Sequence, residues 1–209
     1  MRKVARRHDI RDLILDGVDS LLARFGYGKM TMSDLARQVG IGKGTIYLHF
    51  PSKQELALAH VDRIVERLLG RLHEIAAREE PPGPRIKMML VTRVLHRYDA
   101  VVHYSQNLND LLSAVREELL VRRHVHFERE AKVICGVIEE GLKQGVFHYS
   151  DSRAAARILI WSTNSLLPFS LTARELGKRK ELEERASRIA DLLIAGLRPL
   201  SPSRAPRGK

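Results

Sequence analysis

Apolar residues recur at helical spacing along almost the whole chain, and this leaves little choice of architecture. The first run places Ile10, Leu13, Ile14, Val18, Leu21, Leu22 and Phe25 on one face of a helix with about 3.6 residues per turn. Asp9 is expected to cap this helix, and Gly26 and Gly28 to stop it. β-branched alternation is scarce, and only 5% of residues are aromatic although 44% are hydrophobic. These observations predict an all-α protein. With 209 residues, the chain can hold one large domain or two small ones.

Two short helices are predicted next. Thr31-Met32-Ser33-Asp34 has the form of a capping box, and the helix that follows buries Leu35, Ala36 and Val39 before Gly40 ends it. After the Ile41-Gly42 turn comes a stretch too polar for a core helix, with Thr45, Tyr47 and His49 among few aliphatic residues. Pro51 ends it, and Ser52-Lys53-Gln54-Glu55 caps and opens a fourth helix. Two short helices joined by a glycine turn, behind a longer one, are the layout of a helix-turn-helix reader. A recognition helix needs to bury only one thin side, here Ile41, Ile46 and Phe50. Its other side must offer hydrogen-bonding groups to a groove. Gly42 and Gly44 let backbone N–H groups come close to phosphate.

The formal charge supports such a partner. Lys and Arg number 36 against 25 Asp and Glu, a net +11, which favours a polyanion. The ends contribute to it, with Arg2, Lys3, Arg6 and Arg7 at one and Arg198, Arg204, Arg207 and Lys209 at the other. The opening cluster has the composition of a frayed, solvated end more than of a minor-groove arm. Cys135, the only cysteine, excludes an internal disulfide and has the setting of a buried thiol. No apolar stretch approaches the roughly 20 residues that span a bilayer. Nor does the N-terminus have signal-peptide form. A cytoplasmic protein without a membrane partner is expected. Asp9, Asp12, Asp16 and Asp19 on the polar side of the first helix also argue against an anionic lipid surface.

Several runs together resemble the DNA-binding region of TetR/AcrR-type regulators: Ile14-Leu15-Asp16, Phe25-Gly26-Tyr27, Thr31 to Ala36, Gly40 to Phe50, then Lys53 and Leu56. The resemblance extends without a gap from about Ile10 to Leu58. It departs at Gly42, where the family often has Ser. Glycine also serves as an N-cap, so only a hydroxyl contact is lost. The resemblance implies an N-terminal helix-turn-helix domain over 1–55 and a helical ligand-binding and dimerisation domain over 56–198. Residues 199–209 have the composition of a disordered basic tail. It further implies a homodimer on a palindromic double-stranded DNA operator, most often a repressor released by a small-molecule effector. A ligand-independent, chromosome-organising DNA-binding protein of the same fold is the alternative. Thr45, Tyr47 and His49 would face DNA, with Lys43 at the helix start. The full candidate set is Thr31, Ser33, Lys43, Gly44, Thr45, Tyr47, Leu48, His49 and Lys53, the last holding a phosphate together with helix N–H groups. No Gly-x-Ser-x-Gly, phosphate loop or metal-ligand spacing appears. The nine histidines include no His-x3-His pair. Neither an enzyme, a cofactor nor a metal is expected.

Further helices are predicted over Lys53–Glu79, Arg85–Tyr104, Asp110–Lys143, Asp151–Leu171 and Leu182–Leu197. Pro81-Pro82-Gly83-Pro84 breaks the first of these and is a candidate domain boundary. Pro168 is expected to kink or end its helix. On the helix from Asp110, Arg122, His126 and Glu130 interrupt an apolar stripe that includes Val115, Leu119, Val133 and Val137. On the preceding helix, Arg97 and Tyr104 stand among Ile86, Leu90, Val94 and Val101. A polar trio on an inward stripe either meets a ligand or is paired, as His126 with Glu130 at i,i+4. In the resembling family an inducer binds here. The candidate ligand set is Leu90, Val94, Arg97, Tyr104, Arg122, His126, Glu130, Trp161 and Asn164. It suits a molecule with an anionic or accepting group on an apolar body. The last helix and the one before it resemble the family's pairing helices, giving Trp161, Leu166, Ala186, Ile189, Leu193 and Leu197 as a candidate dimer interface.

Overall fold

The computed structural model describes residues 7–170 and 175–198, with side chains from Ile10 onward. The expected tail over 199–209 and the basic residues Arg2, Lys3 and Arg6 lie outside them. Among the described residues the regular elements are all helices.

Helix α1 (Arg7–Lys29) begins two residues ahead of Asp9, so Asp9 stands in its first turn rather than at its cap. Gly26, at φ 69 and ψ 169, interrupts the helical backbone, and one more turn follows. Helix α2 (Met32–Val39) starts on the predicted capping box. Asp34 N donates to Thr31 Oγ1 at 3.1 Å, and Thr31 N donates back to Asp34 Oδ2 at 3.3 Å. Gly17 sets how closely α1 and α2 approach. A Cβ there would stand 2.7 Å from Val39 Cγ2. Gly40 closes α2 in the left-handed region at φ 75, where a side chain would be strained. Helix α3 (Lys43–His49) follows the turn, and Phe50 is its C-cap. Helix α4 (Lys53–Ala76) starts at Ser52, whose hydroxyl accepts from Glu55 N at 3.0 Å.

Helix α5 (Pro82–Val101) opens with proline at its first position, where the missing N–H leaves no bond unmade. Because α4 packs along both α5 and α7 (Arg116–Lys143), Pro81 and Pro82 turn the chain between neighbouring helices of one bundle. The domain boundary expected at these prolines is therefore a turn inside the bundle. The single helix predicted over Asp110–Lys143 is also divided. After a 3-10 segment over Val102–Asn107 come α6 (Leu108–Ala114) and then α7, separated at Val115 with φ −125 and ψ 18. Helix α8 (Ser152–Ser162) is capped by Asp151, which accepts from Ala154 N at 2.9 Å. It stops before Pro168, and short 3-10 turns follow. Helix α9 (Arg179–Leu197) lies along α5.

The core is one continuous cluster from Ile14 to Leu197. Helix α4 connects the N-terminal helices to the bundle. Leu56 and Leu58 are buried near its start, and Leu68 and Leu72 within the bundle.

Candidate nucleic-acid interface and effector cavity

Helix α3 is anchored by few contacts and otherwise open. Ile46 and Phe50 are fully buried, while Lys43, Gly44 and Tyr47 are exposed, and Leu48 is 77% exposed. Thr45 and His49 are half-buried. An apolar residue this bare on a seven-residue helix gains nothing from the fold. In a major groove it can meet a thymine methyl. Lys43 Nζ lies 5.8 Å from the Tyr47 ring centroid. Gly42 caps the helix without a side-chain hydrogen bond, so no cap side chain takes up the N–H groups of Lys43 and Gly44, while Thr45 N donates to Gly42 O at 2.9 Å. Arg11 of α1 lies 4.5 Å over the Phe50 ring.

Other members of the predicted DNA set have work inside the fold. The Thr31 hydroxyl donates to Asp34 Oδ2 at 2.6 Å and accepts from Asp34 N, so it is committed to the start of α2. Ser33 is exposed beside it. Lys53 is half-buried. Its ammonium donates to Gly28 O at 3.3 Å and lies 4.3 Å over the Tyr27 ring. Burial holds its pKa below the usual lysine range. Lys53 therefore ties α4 to the end of α1.

The acidic face of α1 meets α4. Arg63 Nη1 donates to Asp16 Oδ1 at 2.6 Å and to Asp12 O at 3.3 Å, and Arg63 Nη2 donates to Asp19 Oδ2 at 3.4 Å. Beside it, His60 is buried, with Nε2 3.4 Å from Asp19 Oδ1 and 3.1 Å from the Tyr104 hydroxyl. Burial outweighs the Asp19 charge and pushes the imidazole down to about 4. Burial pushes the Tyr104 phenol up.

Tyr104 also faces a cavity of about 80 Å³. Helices α4 to α7 bound it together with Pro168 and Phe169, and its lining is mostly aliphatic, for example Ile64, Leu108 and Leu111. Of the predicted ligand set it collects Arg97, Tyr104 and His126. Leu90 and Val94 are fully buried in the core but outside the cavity wall. Trp161 is 60% exposed and also lies outside that wall, as does half-buried Asn164.

The polar trio of α7 divides between two neighbours, and the expected His126–Glu130 pair does not form. Arg122 Nη1 meets Asp62 Oδ2 at 2.6 Å, and Arg122 Nη2 meets Glu55 Oε2 at 3.2 Å. His126 Nε2 lies 3.1 Å from Asp62 Oδ1. Glu130, buried at 0% exposure, accepts from Arg93 Nε at 2.6 Å and Arg97 Nη2 at 2.5 Å. Burial alone would raise the Glu130 carboxyl, but the guanidiniums of Arg97 and Arg93 outweigh it and hold the pKa below the usual carboxylate range. Sequence reasoning missed Arg93, which is also fully buried. Its position between Leu90 and Arg97 on the inward face was the available signal. Arg93 Nη1 donates to Thr163 Oγ1 at 2.9 Å, and its guanidinium carbon lies 4.9 Å over the Phe127 ring.

The predicted pairing residues also separate. Leu166, Ala186 and Leu197 are buried within the chain and have little surface left for a second copy. Ile189 and Leu193 are half-buried. Ile158 and Trp161 on α8 and Leu192 on α9 are the large apolar residues that these helices leave exposed, Leu192 at 76%. Leu192 falls outside the apolar stripe counted from the sequence.

An all-helical body with a partly bare third helix and an internal cavity defines a DNA-binding regulator with a helix-turn-helix reader. Known proteins agree. Residues 14–60 match the model of "Bacterial regulatory proteins, tetR family". A nucleoid occlusion factor SlmA from Marinomonas sp. (strain MWYL1) is 32% identical over 143 residues, covering 68% of this chain and 72% of that protein. A transcriptional regulator from Cytophaga hutchinsonii has the same fold, with TM-score 0.74 at 18% identity, covering 90% of this chain and 98% of the other. FadR from Bacillus subtilis, solved in complex with stearoyl-CoA, shares the fold at TM-score 0.62 and 16% identity, covering 88% and 98%. The chain belongs to the TetR family of bacterial regulatory proteins.

Proposed function

We propose that the chain acts as a homodimeric repressor that binds a palindromic operator and is released by a small molecule entering the cavity between α4 and α7. The observation that carries this reading is a shared wall. The segment holding Tyr104, Leu108 and Leu111 lines the cavity, and the same 3-10 segment and α6 pack against α1. A ligand that pushes on this wall acts on α1, which packs on α2 and through it on α3.

Two polar links run beside that contact: Tyr104 to His60 to Asp19, and Arg63 to Asp16. They hold α1 against α4. A ligand preferring a different α4 pose would change the separation of the two reading heads and weaken DNA binding by its difference in affinity for the two states. On α3, Lys43, Thr45, Tyr47, Leu48 and His49 are the proposed DNA-facing groups, with the Gly44 backbone beside them. Ser33 supports them from α2. Lys53 acts on phosphate while also serving the fold. In the effector site the residues are Arg97, Tyr104 and His126. The likeness to FadR supports the fold only, so the effector site rests on this chain's own cavity.

The likeness to a nucleoid occlusion factor favours a second reading, a chromosome-organising protein that needs no effector. The cavity and its contact with α1 favour the first. Selection of duplexes from a random library by the purified full chain tests the reading. Enrichment of an inverted repeat is expected, and survival of unrelated sequences without a shared motif would overturn it.

A further inference from the structure

The apolar cavity continues outward. A second hollow of about 160 Å³ adjoins it and shares Leu112, Leu119, Arg123 and Phe169 with it. The two differ in chemistry. In the inner hollow the polar groups are already answered, Arg97 by Glu130 and His126 by Asp62. An anion there would have to displace a carboxylate. The outer hollow adds Asn109, Ser113 and Arg116 to its wall. Arg123 lies 5.6 Å over the Phe127 ring and 5.0 Å over the Phe169 ring. Among the described residues no carboxylate is paired with Arg123 or Arg116 in an ion pair. One guanidinium is thus held on aromatic faces at the junction of the two hollows, and a second stands at the outer rim.

An apolar chamber behind an unneutralised pair of guanidiniums recognises one kind of molecule. We propose that the two hollows together take an anionic amphiphile, with its alkyl tail in the inner hollow and its anionic head on Arg116 and Arg123. This rests on the reading of the cavity as the effector site. It places the anion subsite at the rim, not in the buried network where Arg97 is paired with Glu130. Two guanidiniums without counter-charge suit a carboxylate or a phosphate, each of which accepts charge-assisted hydrogen bonds. The inner hollow is small, at about 80 Å³, against the roughly 150 Å³ of an apolar cavity that takes one benzene. A longer tail must therefore push Leu111, Leu112 or Leu119 aside. The first two stand on α6, which packs against α1, so the tail itself applies the force that release requires.

Isothermal titration of the full chain with decanoate, decanoyl-CoA and neutral 1-decanol tests the assignment. Decanoate is expected to bind at least about tenfold more tightly than decanol, the value of one charge-assisted hydrogen bond. An R116Q/R123Q double variant should lose that preference without a change in melting temperature. Leu112→Trp, which fills the inner hollow, should bind none of the three. Decanoyl-CoA tighter than decanoate would identify phosphate as the head, and decanoate tighter than decanoyl-CoA, whose thioester has no carboxylate, would identify carboxylate; both support the proposal. Equal binding of decanol and decanoate, no binding of any probe, or a preference that survives in the double variant would overturn it. The wild-type comparison decides even if a variant fails to fold. Operator selection with the same preparation separates the two readings. Specific DNA binding without decanoate binding removes the ligand class alone, whereas decanoate binding without specific DNA binding removes the regulator reading.

Discussion

Glu130 shows what a buried charge does in this bundle. Between Arg93 and Arg97 it neutralises only one of their two charges, and Arg93 also donates to the Thr163 hydroxyl and lies over the Phe127 ring. Such a network fixes the register of α5 against α7 more than it adds stability, because desolvation cancels much of the attraction. His60 is a buried titratable group of the opposite kind, kept neutral by its surroundings. Its folded pKa is about 4, below the unfolded value of about 6.5. A depressed histidine pKa gives stability that is complete above the unfolded value and is lost as pH falls toward the folded one. Between pH 7 and pH 5 the chain should therefore lose roughly 2 kcal/mol from this residue. Urea midpoints at the two pH values check this. His60→Gln should show a smaller drop than the parent, and an equal drop would assign the pH effect to other groups.

At the scale of elements, the helix-turn-helix was legible because each boundary has a local cause. Thr31 with Asp34, Gly40, Gly42, Pro51 and Ser52 act within a few residues, and the structure places α2, α3 and the start of α4 there. The break at Val115 was not legible. Its stripe of apolar residues continues through the break, and packing of α6 on α1 decides it. The partners of Glu130 were hidden for a related reason. Spacing on one helix reveals i,i+4 neighbours such as His126, while Arg93 and Arg97 arrive from another helix. Exposure likewise distinguishes Leu48 from the rest of α3, which composition does not. Leu48→Ala should lower operator affinity by about 1 kcal/mol and leave binding to random duplex unchanged. Lys43→Ala, if it loses a phosphate contact, should weaken both and flatten the salt slope by about one. Anisotropy titrations over a range of salt distinguish these outcomes. A Leu48→Ala effect equal on both duplexes would remove Leu48 from base contact.

At the scale of the whole molecule, α9 serves the monomer and leaves a narrower face for pairing than its apolar stripe suggested. Leu182, Ala186, Ala190, Ile194 and Leu197 are all buried within the chain. The exposed Trp161, Ile158 and Leu192 remain as the proposed dimer surface. Leu192→Glu should yield a folded monomer with far weaker operator binding, seen by sedimentation alongside unchanged helical circular dichroism. A Leu192→Glu chain that still sediments as a dimer would place pairing elsewhere.

In the proposed function, two copies of this chain read one duplex through their third helices. Analytical ultracentrifugation of the protein with a selected operator tests it most directly, with a random duplex of equal length as competitor at fixed salt. Two chains per operator are predicted, with a preference over random duplex of at least about a thousandfold. One chain per duplex, or equal affinity for both sequences, would overturn the paired-reader arrangement.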